Sequence, residues 1–195
     1  MLFSVRAIKA AQEPKQNFLP ISFKTSKAAI DENGMAPIGG AKGSYVDLLN
    51  IPDLATLENW EFGFKASVLS NGDYKIICGI EGSTGSWLGD YAFQVLNYQA
   101  VYPSYGAMMY SSSDNNYFLV PKPAISDSNF HDFKVKWEKG IGFTFTVDDA
   151  SVTKYRASFT SNAGKNIRWG HSNQYHTTNI NILDTKSVYL KWWNS

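Results

Sequence analysis

The stretch Phe133-Lys134-Val135-Lys136-Trp137-Glu138-Lys139-Gly140-Ile141-Gly142-Phe143-Thr144-Phe145-Thr146-Val147-Asp148 decides the fold. Apolar and polar residues alternate strictly on both sides of a glycine-rich break, which is the period of 2 of two strands that each bury one face. The break carries turn chemistry, so the two runs form a β-hairpin. Working back along the chain, Trp60, Phe62, Phe64, Ala66 and Val68 alternate with Glu61, Gly63, Lys65 and Ser67, and Asn71-Gly72-Asp73 ends that run with a turn. Shorter strand candidates are 17–24, 45–49, 74–81, 91–98, 107–111, 117–120, 151–159, 167–169, 178–183 and 187–192. Their even spacing and Gly, Pro, Asn and Ser punctuation predict an antiparallel sandwich rather than βαβ units. Only Pro52 to Glu58 reads as helical, for about two turns at most.

Composition agrees with a packed all-β domain. The 195 residues include 6 Trp, 11 Tyr and 12 Phe but only 18% charged residues, the reverse of a disordered chain. Lys and Arg number 18 against 17 Asp and Glu, and no three basic residues are consecutive, so nucleic acid is not an expected partner. One cysteine, Cys78, excludes an intrachain disulfide framework; its apolar neighbours mark it as a buried hydrophobe rather than a reactive thiol. Arg6 and Lys9 interrupt the start where a secretory signal needs an apolar run, and no stretch approaches the length of a membrane span. The expectation is synthesis in a cytoplasm without a signal peptide. Residues 25–44 are rich in Gly, Pro and charge, so residues 1–44 read as an irregular arm leading into a β-sandwich at 45–195.

The order Lys42-Gly43-Ser44-Tyr45-Val46-Asp47-Leu48, Asn59-Trp60-Glu61-Phe62-Gly63-Phe64, Phe130-His131-Asp132-Phe133-Lys134-Val135-Lys136-Trp137, Phe143 to Asp149, Ile167-Arg168-Trp169-Gly170 and Ile180-Asn181-Ile182-Leu183 resembles the concanavalin A-like lectin/glucanase superfamily, especially its laminin G-like members. The resemblance covers roughly residues 42–192 and implies a two-sheet jelly roll. Family members close this pattern with Val-Asp-Gly. Here Asp149 stands where the glycine is usual, so a different turn is expected after Val147.

Chemistry is sparse. The glucanase relatives need carboxylates on alternating positions of one strand. Glu58 with Glu61, and Asp148 with Asp149, point to opposite faces instead. No Gly-x-Ser-x-Gly elbow or phosphate loop occurs, so no catalytic residue is assigned and an enzyme with an unrecognised site ranks third among functions. His171 and His176 lack a third ligand for zinc, and His131 reads as a structural hydrogen bond at a strand start. No cofactor is assigned from a motif. Calcium enters only as an implication of the resemblance, and Asp114-Asn115-Asn116 reads equally as an Asx turn.

The rings left outside the alternating runs cluster at Tyr98, Tyr102, Tyr105 and Tyr110, followed by Asp114 and Asn115. Rings beside amides, hydroxyls and a carboxylate suit a sugar, whose C–H face stacks on a ring while its hydroxyls take the polar groups. They also suit a protein interface or rings packed over sandwich edges. Trp87, Trp169, His171 and Tyr175 are further candidates from expected loops. A stand-alone domain of this kind, without signal, disulfide or enzyme motif, resembles virion surface proteins such as phage head-decoration, fibre or tail components. The expectation is a lectin-like module that docks by its N-terminal arm onto protein partners of a virion and binds glycan. The alternative is a free-standing lectin, and self-association is left open.

Overall fold

The computed structural model describes residues 23–26, 28–31, 34–37, 45–48, 51–68, 75–82, 94–97, 107–111, 116–120, 125, 129–155, 163–170 and 180–194. They form β1 (Phe23–Ser26), β2 (Ala28–Asp31), β3 (Gly34–Pro37), β4 (Tyr45–Leu48), β5 (Asn59–Val68), β6 (Lys75–Gly82), β7 (Gln94–Asn97), β8 (Ala107–Ser111), β9 (Asn116–Val120), β10 (Phe130–Glu138), β11 (Gly142–Val147), β12 (Ala150–Lys154), β13 (Ala163–Gly170) and β14 (Ile180–Trp193). Two antiparallel sheets result. The first runs β1-β4-β13-β6-β7-β8-β9 and the second β12-β11-β10-β5-β14-β3-β2. The expected two-turn helix is a single 3-10 turn at Leu54–Thr56, capped by the Asp53 carboxylate, which accepts the Ala55 N–H at 3.0 Å.

The alternating residues do what their period requires. Trp60, Phe62, Phe64 and Ala66 of β5, Phe133, Val135 and Trp137 of β10, and Phe143, Phe145 and Val147 of β11 are buried between the sheets. Leu48, Cys78, Ile167 and Trp169 meet them from the first sheet. Trp169 joins the layers directly: its ring lies 5.7 Å from that of Phe62 and edge-on to Phe64 at 5.6 Å, while Phe64 stacks on Phe133 at 5.0 Å. Each such ring contributes roughly 1.5–3 kcal/mol by burial.

The β10–β11 hairpin pairs Phe133 with Val147 and Trp137 with Phe143. Gly140 turns the chain at φ 82, a conformation that a side chain would strain. At the next turn the positive φ falls on Asp148 (φ 52) and not on Asp149. Asp149 itself does not have a positive φ, so position 149 does not require the glycine of the family pattern.

Two expectations change. Residues 23–37, read as part of an irregular arm, supply β1 to the first sheet and β2 and β3 to the second, because pairing with β4 and β14 gives their backbone groups partners that local sequence does not reveal. The strands expected at 178–183 and 187–192 are one strand, β14, interrupted by a bulge. Asp184 pairs with Lys65 and Tyr189 with Gly63, so the segment 185–188 stands opposite Phe64 alone. Ser187 closes the gap: its Oγ accepts the Lys65 N–H at 2.7 Å and donates to the Asp184 carbonyl at 2.6 Å. The odd number of extra residues flips the alternation, which puts Val188 and Leu190 in the core and Tyr189 and Lys191 on the outer face.

Candidate functional site

Three places gather polar or aromatic groups. The first is the corner where β10 begins. His131 is buried with its Nδ1 2.8 Å from Asp148 Oδ2, and Asp148 Oδ1 accepts the Asp132 N–H at 2.9 Å, while the Asp148 N–H donates to the Asp132 carbonyl at 2.8 Å. The histidine and aspartate of the family-like pattern therefore hold each other. This agrees with a structural role for His131 and accounts for the backbone of Asp148, whose left-handed conformation is fixed by these bonds.

The second place is the outer face of the second sheet. Tyr189 lies over Gly63, so that a Cβ on Gly63 would come within 2.5 Å of Tyr189 Cε1. The Tyr189 hydroxyl donates to Glu61 Oε1 at 2.7 Å and Lys191 Nζ approaches the same oxygen at 2.9 Å. Lys191 also sits over the Tyr189 ring at 5.6 Å, and Lys136, paired with Glu138 at 2.9 Å, over the Trp193 ring at 5.8 Å. Burial works to raise Glu61, but the bonds from Lys191 and Tyr189 and the charges of Lys191 and Lys136 outweigh it and hold the carboxyl below its usual range. Tyr189 is pushed well above the ordinary phenol range, first by burial and then by the adjoining Glu61 carboxylate. A phenol activated for attack needs the opposite shift. This cluster thus holds the sheet face together rather than supplying a nucleophile. Sequence reading missed it, although Tyr189, Lys191 and Trp193 alternate visibly, because only the cross-strand register brings them to Glu61.

The third place is the meander β7–β8–β9 at the margin of the first sheet. Tyr110 pairs in register with Gln94 on one side and Tyr117 on the other. Of the sequence-predicted site residues, Tyr110 is placed here, while Tyr98, Tyr102, Tyr105, Asp114, Asn115, Trp87, His171 and Tyr175 lie outside the described residues. Trp169 is corrected: it belongs to β13 and not to a loop, and at 1% exposure its ring is a core group that no ligand reaches. It pairs with Cys78, so the alternation of β13 turns it inward with Ile167.

Among the described residues no group of three or more His, Cys, Asp and Glu side chains is placed to hold a metal ion. Asp148, a carboxylate at a turn, is already engaged by His131 and the Asp132 N–H, and Asp114 and Asn115 lie outside the described residues. The carboxylates weighed for acid–base chemistry are likewise apart, with Glu58 bonded to Lys139 at 2.7 Å and Glu61 to Lys191.

No protein-family model and no curated protein matches the chain. Solved structures do. The carbohydrate recognition domain of Emp47p superposes with a TM-score of 0.56 at 9% identity, over 96% of this chain and 92% of that one. The exoplasmic/lumenal domain of VIP36 in its Ca2+/Man3GlcNAc-bound form gives 0.54 at 8% identity, over 90% and 84%. The binding domain of botulinum neurotoxin DC in complex with SialylT gives 0.56 at 8% identity, over 88% of this chain and 42% of that one. Together with the two antiparallel sheets and the ring-filled core between them, these matches show that the chain has the concanavalin A-like jelly-roll fold.

Proposed function

We propose that the chain is a non-catalytic, lectin-like glycan-binding module, and that its ligand meets the tyrosine-rich meander β7–β8–β9. The observation that carries this reading is the match over nearly the whole chain to domains whose own names record carbohydrate recognition or a bound glycan. The composition of the meander adds to it. Rings, amides and hydroxyls are what a sugar requires, and of the carboxylates weighed for acid–base chemistry Glu58, Glu61 and Asp148 are each engaged by another side chain. Single-site lectin affinity near millimolar is only about −4 kcal/mol, so such a module works when displayed in many copies. We further propose that the display is a virion surface, with residues 1–22 as the docking segment, since residues 23–37 belong to the sandwich itself.

A glycan array probed with the isolated protein tests the binding. Signal above background is expected from the wild type and a loss from Tyr102→Ala and Tyr105→Ala; a wild type that binds nothing sinks the reading. Deleting residues 1–22 tests the docking: a truncated protein that still co-assembles with its native particle rules that segment out as the anchor.

A further inference from the structure

β12 is the last strand of the second sheet, so one side of its backbone has no partner strand among the described residues. Its side chains stand in solvent. Ser151, Thr153, Lys154 and the adjoining Tyr155, at 74%, are exposed, and only Ala150 and Val152 pack partly against the core. The usual protections of a sheet edge are few here. Pairing with β11 runs from Phe143–Lys154 to Val147–Ala150 without a bulge, the strand has no proline, and its single charge, Lys154, lies at the very end.

The two ends of this edge carry opposite charge. Asp148 and Asp149 precede the strand and Lys154 closes it. Asp148 is held by His131 and the Asp132 N–H, whereas Asp149 is exposed, as is Lys154. A strand that is acidic at one end and basic at the other complements itself in antiparallel order, while parallel order would set like charge against like. A strand of foreign sequence would have to supply both charges in that order; a second copy of this chain already has them.

We infer that β12 pairs antiparallel with β12 of a second copy about a two-fold axis at Val152, joining the two second sheets into one continuous sheet. Centring on Val152 uses the strand from Ala150 to Lys154 in full and sets each residue against one on the same side of the sheet. Val152 meets its own counterpart, Ala150 meets Lys154, and Ser151 meets Thr153. On the outer side this extends the hydroxyl pair of Thr153 with Thr144, 2.8 Å apart, to Ser151 of the second copy. One step further out, Tyr155 of each copy stands opposite Asp149 of the other, where a phenol donates well to a carboxylate, and Lys154 is one residue away. Each contact is made twice by symmetry. β9 lies alongside β12 at the same margin of the sandwich, so the pairing also brings the two meanders together. On the reading that the meander binds glycan, the dimer presents two sites at once, but the pairing itself does not rest on that reading.

Sedimentation equilibrium of the whole chain over a concentration series tests the association. One short strand pair is a small interface, so a dimer that dissociates on dilution is expected, with a dissociation constant on the order of 10 μM. Lys154→Glu and Asp149→Lys should each weaken it about tenfold, and the two reversals combined should restore it. Circular dichroism melts identify folded variants, and Tyr155→Ala, at an exposed position, replaces Asp149→Lys if that variant does not fold. Cross-linking tests the register. Val152→Cys, facing its own counterpart at about 5 Å between Cα atoms, should give a disulfide-linked dimer on mild oxidation, while Ser151→Cys, about 8 Å from its counterpart, should not. Cys78 is fully buried and does not compete. A chain that stays monomeric at its highest soluble concentration would overturn the inference. So would a dimer that Lys154→Glu leaves unchanged, or one in which Ser151→Cys cross-links as readily as Val152→Cys.

Discussion

Replacing Gly63 with alanine sets two effects against each other, and the structure says which prevails. Alanine in a strand is ordinarily favoured over glycine by roughly 0.5–1 kcal/mol, because the unfolded chain loses freedom. Here the new methyl would lie 2.5 Å from Tyr189 Cε1 and 2.6 Å from both Cζ and the hydroxyl oxygen. These are far-end atoms of a side chain, so the ring swings away rather than the backbone yielding. The swing breaks the 2.7 Å bond from the Tyr189 hydroxyl to Glu61. A hydrogen bond to a charged group is worth about 1.5–3 kcal/mol. The net expectation is a loss of about 1–2 kcal/mol, or a fall of roughly 2–8 °C in melting temperature for a chain of this size. Thermal and urea unfolding of Gly63→Ala, Tyr189→Ala and the double variant measure it. In the Tyr189→Ala background nothing remains to collide with, so Gly63→Ala should turn neutral or stabilising. A destabilisation that persists undiminished in that background, or a Gly63→Ala variant more stable than wild type, would refute the reasoning.

Three further outcomes follow from the same structure. Glu61 is held below its usual range in the folded state, so its ionisation stabilises the fold above the unfolded carboxylate pKa, and that contribution disappears as pH falls through the folded value. Glu61→Gln should therefore cost most near pH 7 and converge with wild type in acid, as pH-dependent melting would show; a difference independent of pH would contradict it. Trp169→Ala should cost about 3–5 kcal/mol through the cavity left between Phe62 and Phe64, while Trp169→Phe, if folded, should keep whatever glycan affinity the wild type has. Selective loss of binding in folded Trp169→Phe would reopen its role as a contact. Asp148→Ala should destabilise by about 2–4 kcal/mol, since it removes the acceptor of the Asp132 N–H and the partner of His131 and leaves a side chain at φ 52; Asp148→Asn should cost less in denaturant titrations.

By itself the sequence determined that the chain is a β-sandwich and which rings of three of its strands fill it. Alternation is a local property, and Trp60 to Ala66, Phe133 to Trp137 and Phe143 to Val147 declare their buried face within a few residues. It also carried the family-like pairing of a histidine with a Val-Asp turn, though not the reason for it, which is the bond between His131 and Asp148. Tertiary structure alone decided the rest, because sheet neighbours are chosen across long stretches of chain. It drew residues 23–37 into both sheets, and it set Trp169 in the core by pairing it with Cys78. The β14 bulge shows the cause most directly. Extra residues between Asp184 and Tyr189 reverse the alternation, so what reads as two short strands is one. That reversal delivers Tyr189 to Gly63 and Glu61 across the sheet. Likewise, the row of Gln94, Tyr110 and Tyr117 exists only because hydrogen-bond register aligns three strands whose local patterns say nothing of one another.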